Sequence, residues 1–525
     1  MTLLTRALSL GRAAIAAWHL RIGRGGVARA PVRYATAPED RVSFPKKIIY
    51  GLGAFINNLL AAAIGGMLIV LNLGLGMNPA LVGLVAALPR LTDAIYDPIM
   101  GFVSDHTRSR WGRRRPYIFV GALASGLVFA LLWQLPRGHS QGYYFTRFLI
   151  GSILFYMAYT VYAAPWVALG YELTPDYHER TRLMGVQNFV GQLAYVVSPW
   201  FLWIMTYKVW FKDQVAGAAG LAVIIALVVA AVGVLPALFL RERLKDIAAA
   251  EGAKKRAGGA GVVREFVKGF GTTLKSGPFL RLCVATFLVF NGFILISSFQ
   301  TYVIIYYVFR GNVEIGARYA GYAGTLGAIS TFAVIMFVTW LATRIGKRRA
   351  FFVSTGISIV GYLIKWVCYN PRHPMMLLLP VPLLAFGLGG LFTLMGSMIA
   401  DTVDADELET HERREGMFGA IFWWIVKLGM AAALAIGGFL LNATGFDVAL
   451  GGGQAHKTII LMRLCDACVP AIASAIAIWS IATYRITEAS AHEIRLQLEA
   501  RRGKAGNGVQ GQAPADAALA AAPAT

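Results

Sequence analysis

Apolar residues in this chain gather into long runs separated by shorter polar segments. A helix needs about 20 mostly apolar residues to cross a hydrocarbon core of about 30 Å. Twelve runs reach that length, at 48–73, 80–104, 117–136, 143–169, 184–207, 216–240, 279–309, 318–342, 350–369, 374–400, 417–443 and 457–483. The pattern predicts an all-α polytopic membrane protein. Its expected layout is a basic N-terminal extension (1–45), a six-helix half (46–240), a linker (241–278), a second six-helix half (279–484) and a tail (485–525). The tail opens on an exposed helix candidate, HEIRLQLEARR (492–502). The Ala-, Gly- and Pro-rich end that follows has the composition of a disordered segment.

Composition agrees with the pattern: 57% of residues are hydrophobic and 14% charged, against roughly a quarter charged in a soluble globule. The formal net charge of +22 does not call for nucleic acid, because it sits in short loops. Arg108, Arg110, Arg113, Arg114 and Arg115 lie between the second and third runs, and Arg344, Lys347, Arg348 and Arg349 between the eighth and ninth. Segment 241–278 is also rich in Lys and Arg. Twelve spans put all three on one side, which the excess of positive charge on cytoplasmic loops makes the cytoplasm, together with both termini. The cell (inner) membrane is the expected location. The first 38 residues hold six arginines and no acid. That is the composition of a transit peptide, and equally of a basic cytoplasmic extension or a start assigned too early. Cys283, Cys368, Cys465 and Cys468 all fall in apolar runs and read as buried thiols; the Cys465–Cys468 spacing alone is a weak redox or metal signal.

The chain also repeats itself. RWGRRRPYIF (110–119) matches RIGKRRAFFV (344–353), and His178-Glu179-Arg180 matches His411-Glu412-Arg413, at nearly the same offset. Spans one to six and seven to twelve therefore read as parallel copies, a plan that places a solute site near the midplane between them.

Within the apolar runs the polar residues are few. Asp93 and Asp97 stand four apart in span two, so a helix presents both on one face. An acid at bilayer depth costs several kcal/mol and must face a cavity or a partner, so the pair is a candidate cation site. Pro98 follows directly and predicts a local kink; the alternative is that the acids merely neutralise Arg90 or a distant lysine. Lys427 in span eleven is the natural counter-charge across the two halves. Asn58 (beside Asn57) in span one, Tyr159, Thr160, Tyr162 and Trp166 in span four, and Asn188 and Gln192 in span five are candidates to line a solute cavity. For Asn58 and Trp166, helix packing is the competing reading. Lys365 reads as a residue near a span end that snorkels, and Arg463 and Asp466, three apart, as a local pair or helix-end anchor. Charged residues after spans two, four and ten are candidate gating groups, forming pairs in one conformation and breaking them in another: Asp105, Arg110, Arg113 and Arg114; Asp176, Glu179 and Arg180; Asp404, Asp406, Glu412 and Arg413. Solvated loop pairs of little energetic weight are the alternative.

DAIYDPIMGFVSDHTRSRWGRRRPYI (93–118), with YGLGAF (50–55), ELTPDYHERTR (172–182) and DTVDADELETHERREG leading to Lys427, resembles the glycoside-pentoside-hexuronide:cation symporters, whose best-known member is melibiose permease. The resemblance spans roughly 46–486. It implies the major facilitator fold and alternating access, with a solute driven by a gradient of H⁺ or Na⁺ (or Li⁺). It implies that Asp93, Asp97 and Thr160 form the cation site, and that Lys427 links that site to the second half. Asn58, Ala163 and Asn188 fall where melibiose permease has charged sugar-site residues, and Tyr96 where it has an asparagine near the cation. The resemblance therefore does not carry galactoside specificity over, and a proton fits at least as well as sodium.

The expected activity is cation-coupled symport of a sugar, glycoside or uronide by a monomer in the lipid bilayer, without a cofactor. A lysophospholipid or other amphiphile carrier is the alternative within transport, and a non-transporting scaffold or receptor the alternative outside it. The loops show no metal-ligand cluster, nucleophile elbow or phosphate-binding loop, so an enzyme is not expected.

Overall fold

The computed structural model describes residues 38–107, 109–174, 177–242, 271, 273–274, 276–411, 415–484 and 486–501. Their long elements are helices: α1 (Phe44–Leu73, with a brief break at Leu68), α2 (Pro79–His106), α3 (Arg115–Leu132), α4 (Gln141–Glu172), α5 (Tyr177–Val197, carried on by a short 3-10 turn to Thr206), α6 (Gln214–Gly233), α7 (Gly277–Tyr302, then a π-helical turn Val303–Val308), α8 (Val313–Ile345), α9 (Lys347–Cys368), α10 (Val381–Thr410), α11 (Glu415–Ala443), α12 (His456–Ala482) and α13 (Glu488–Arg501). The first twelve are the twelve membrane spans. Eleven are long and apolar enough to cross a bilayer on length and composition. The other, α2, has 28 residues, about 42 Å of helix, but carries Arg90, Asp93 and Asp97 along its length.

Local chemistry sets where the helices start. Asn78 caps α2 by accepting from the Ala80 N–H at 2.8 Å, with Pro79 at the first turn. Ser140 caps α4, Asp213 caps α6 with two N–H bonds, and Asn312 caps α8. These caps stand at the end opposite the arginine-rich loops, because short connections make successive helices antiparallel. At the basic end the repeated Arg-X-Gly turns recur in backbone form: Gly112 has φ +112° and Gly346 φ +83°, a region open to glycine and strained for other residues. α2 runs from Pro79 to His106 without interruption through Pro98.

The packing repeats with the sequence. α1 lies on α5 as α7 lies on α11; α2 lies on α4 as α8 lies on α10; α3 packs on α4 and α6 as α9 packs on α10 and α12. The two parallel six-helix halves then meet chiefly through α2 on α11 and α5 on α8. Their contacts cluster at the end away from the basic loops. Asn78 donates to Asn442 Oδ1 at 2.9 Å, Tyr302 to Asn72 at 3.1 Å and Trp200 Nε1 to Thr325 Oγ1 at 2.9 Å. Glycine makes the closest approach: a Cβ on Gly438 would lie 2.4 Å from the Pro79 carbonyl oxygen, and one on Gly83 2.7 Å from that of Leu434. Small residues at crossing helices are how membrane helices gain close contact.

The margins of two expected segments are structured. Residues 38–43, placed in the basic extension, are tied to the α4–α5 turn by Thr174 Oγ1 to the Asp40 carbonyl (2.8 Å) and the Val42 N–H to Glu179 (3.0 Å). Glu242, at the start of the expected linker, is buried and accepts the N–H groups of Arg113, Arg114 and Arg115 at 2.8–3.2 Å. Residues 1–37, 243–270 and the end of the tail lie outside the described residues.

Candidate functional site

Arg90, Asp93 and Asp97 are spaced three and four apart, so they line one face of α2, with Asp93 about 20 Å from the helix start. Facing them are Tyr156 and Thr160 of α4, and Lys427 of α11 closes the group from the other half. Thr160 Oγ1 lies 3.1 Å from Asp93 Oδ1 and 3.2 Å from Asp97 Oδ1, with one proton to donate between them. Lys427 Nζ reaches Asp93 Oδ2 at 3.2 Å and is bonded to Asp97 Oδ2 as well. Asp93 is 4% exposed, whereas the side chains of Asp97 and Lys427 are 41% and 33% exposed. One carboxylate is thus sealed and the other is open. An ammonium thus bridges two carboxylates, and the threonine hydroxyl lies against both.

The remaining candidates for the solute cavity divide. Asn58 Nδ2 donates to the Gly191 carbonyl at 3.0 Å and its Oδ1 receives from Asn57, so in this conformation it staples α1 to α5. Tyr159 bonds Asn57 Oδ1 at 2.8 Å. Trp166 is 2% exposed, stacks on Tyr50 with centroids 5.1 Å apart and spends its indole N–H on the Tyr50 carbonyl. Gly53 leaves the room: a Cβ there would lie 2.2 Å from the indole nitrogen. Trp166 therefore packs α4 onto α1 and offers no face to a sugar ring here. Asn188 is exposed and Gln192 half-buried on one stripe of α5; Tyr195, on the same stripe, lies close enough to Arg90 to interact with it.

Arg90 was legible only as a group the acids might neutralise. The structure places its guanidinium over the Tyr156 ring at 4.8 Å, with no carboxylate at ion-pair distance among the described residues. Tyr156 had no signal beyond its helical spacing from Thr160.

Several of the candidate gating charges make pairs within one half. Arg113 and Arg114 both meet Glu172 at the end of α4, Arg114 at 2.8 Å. Glu179 pairs with Lys47 at 2.7 Å and with Arg182 at 3.3 Å. Burial works against ionisation of Glu179, but Lys47, the Val42 N–H and Arg182 outweigh it and hold its carboxyl below the usual range. Arg180 donates to the Tyr171 and Thr174 carbonyls, and Arg110 is exposed in its turn. In the second half Lys347 pairs with Asp401 at 2.6 Å. Asp176, Glu412 and Arg413, and the Asp105 side chain, lie outside the described residues.

Two readings are corrected. Lys365 does not snorkel; it is buried against Asp466 at 2.6 Å, both side chains at most 2% exposed. Arg463 does not pair with Asp466 but lies between the rings of Tyr307 (4.0 Å) and Trp366 (4.3 Å). A charge sealed inside a helix bundle needs a partner in contact, and Lys365 on α9 reaches Asp466 where Arg463, three residues along, turns outward.

Comparison with known proteins places these features in a family. Residues 49–488 match the family model described as MFS/sugar transport protein. The isoprimeverose transporter of Lactiplantibacillus pentosus is 24% identical over 78% of this chain and 82% of its own. The glucuronide carrier protein homolog of Escherichia coli is 24% identical over 88% of this chain and 97% of its own. Among solved structures, a bacterial homolog of the human lysosomal transporter Spinster, in an inward-facing and unoccupied conformation, superposes with a TM-score of 0.61 at 15% identity, covering 84% of this chain and 98% of that one; at that identity the likeness is one of fold. The chain is a multi-pass membrane protein of the MFS/sugar transport family, one of the melibiose permease-like cation symporters.

Proposed function

We propose that the protein carries a sugar, glycoside or uronide across the membrane in symport with H⁺ or Na⁺ bound at Asp93 and Asp97. The observation that carries the reading is the meeting of Asp93, Asp97 and Thr160 with Lys427: a two-carboxylate site in one half, capped by a cation from the other. With the basic loops in the cytoplasm, the end closed by Asn78, Asn442, Gly83 and Gly438 is the outer one, and the conformation is inward-facing. Lys427 then holds the site in the absence of a coupling ion. An ion arriving when the outer end is open displaces the ammonium, and the freed lysine turns to the cavity and to the solute. Return of Lys427 to both carboxylates on the cytoplasmic side helps expel the ion. Coupling requires that ion and solute bind together more tightly than separately, by about 1–3 kcal/mol.

The gating role reads here as stiffening. Arg113 and Arg114 with Glu172, Glu242 with three N–H groups, and Lys347 with Asp401 each brace one half, so that the halves rock as bodies. Asn188 and Gln192 remain the cavity-lining candidates on α5.

The test is uptake into proteoliposomes under an imposed pH or Na⁺ gradient. Asp93→Asn and Asp97→Asn should abolish uphill accumulation while solute exchange at equal concentrations survives. Full gradient-driven accumulation by the double variant would sink the reading. Which gradient drives uptake by the unaltered protein identifies the ion.

A further inference from the structure

From the position of Arg90 we infer that the solute is an anion with a single oxyanion head, carboxylate or phosphoryl, which Arg90 binds, and that charge balance at this site couples it to the cation. The inference rests on the symport reading and names the chemistry of its cargo.

Three observations carry it. First, Arg90 lies inside a membrane helix with no carboxylate at ion-pair distance among the described residues: its guanidinium touches the Tyr156 ring, and its buried Nε–H has no acceptor there. Arginine within a bilayer is costly and ordinarily paired; one left with free donors is set up for a ligand, and its planar fork suits carboxylate or phosphate. Second, Arg90 shares a cavity of about 20 Å³ with Tyr156, Leu434 and Ser152, room for one water-sized group such as a head-group oxygen. The Ser152 hydroxyl is buried there and likewise without a partner, which adds a second donor. Third, the charges balance before anything binds: Asp93 and Asp97 against Lys427 and Arg90. Adding one monovalent cation leaves one positive charge in excess. A monoanion neutralises that charge and a neutral sugar does not. The cation therefore strengthens binding of an anion, and by reciprocity the anion strengthens binding of the cation.

The experiment uses the full-length protein in proteoliposomes with three probes: 4-nitrophenyl glucuronide, its neutral counterpart 4-nitrophenyl glucoside, and a lysophosphatidic acid. The two anionic arms tell a sugar carboxylate from a lipid phosphate. We expect cation-dependent uptake of one anionic probe and at least about tenfold weaker use of the glucoside. Carboxylate carriage with one monovalent cation should be electroneutral, so a potassium–valinomycin potential should not change its rate. Arg90→Gln should lose at least about tenfold in apparent affinity for the anionic probe, and Arg90→Lys, which keeps charge but not the fork, should recover part of it. Thermal unfolding with and without Na⁺, and at two pH values, checks that each variant folds and still binds the ion. Uptake of the glucoside as good as that of either anion, or an Arg90→Gln protein unchanged toward the anion, overturns this inference and leaves symport standing. If folded, unaltered protein takes up none of the probes nor any neutral sugar in response to either gradient, the symport reading fails and takes this inference with it.

Discussion

Among the described residues, two groups of charged side chains within the helices are built oppositely. The α9–α12 group is confined to one half and closed: Lys365 and Asp466 share a 2.6 Å contact with at most 2% of either side chain exposed, and Arg463 is held between two rings. The α2–α4–α11 group spans both halves and is left open, with a third or more of Lys427 and Asp97 exposed and Arg90 and Ser152 holding unfilled donors. A closed pair can do little but hold helices in register. An open group across a moving interface can exchange partners, which transport requires. Burial and saturation, more than the presence of charge, separate a strut from a site.

The largest effect expected from breaking this contrast is on stability. Asp466→Asn strands a buried ammonium, and breaking a buried pair on one side costs about 3–5 kcal/mol; the protein should lose several degrees in apparent Tm in detergent. Lys365→Met combined with Asp466→Leu removes both charges and should return Tm close to that of the unaltered protein, with transport retained. Asp93→Asn leaves Lys427 its contact with Asp97, and its stability cost should stay near about 1 kcal/mol, although uptake is lost. If Asp93→Asn were the more destabilising change, or the double α9–α12 variant folded but inactive, the assignment of strut and site would be reversed.

A smaller effect is expected at the closed outer contact. Gly438→Leu puts a side chain where a Cβ already stands 2.4 Å from the Pro79 carbonyl oxygen. The outer end should then resist closure, and a cysteine at position 78, in a background without the four native cysteines, should react several-fold faster with an impermeant thiol reagent. An unchanged rate would show that this contact does not govern access.

The spans and their repeat were readable because a bilayer demands about 20 apolar residues and because α1–α6 and α7–α12 pack by the same scheme. Asp93 and Asp97 stood out as acids in an apolar run, and Lys427 as an isolated cation in another. The Lys365–Asp466 pair was hidden by a sequence separation of 101 and by the nearer Arg463, which offered a plausible local partner. Trp166 read either as a cavity residue or as helix packing, since an aromatic carries no mark of its neighbour; the signal that it packs lies in Gly53 of YGLGAF, whose missing Cβ makes its berth. Glu242 was masked by the basic residues around it, and only the fold shows it capping the Arg113–Arg115 turn.

The basic end supplies a reference for both membrane groups, because Glu179 sits where pH can reach it. Its carboxyl titrates below the usual range: burial opposes ionisation, but Lys47, the Val42 N–H and Arg182 prevail. A carboxylate whose folded pKa is depressed contributes stability that is fully present above its unfolded pKa, about 4.3 for glutamate, and lost as pH falls through the folded value. Glu179→Gln should therefore lower Tm by a constant amount from neutrality down to about pH 5, and the gap to the unaltered protein should close as pH drops below about 4. A gap that stayed constant to the lowest pH tolerated would mean that Glu179 acts through packing and its bond to Val42 rather than through charge. In that case the attraction to Lys47 and Arg182 would be offset by the cost of taking Glu179 out of water, and only the two groups within the helices would carry electrostatic weight.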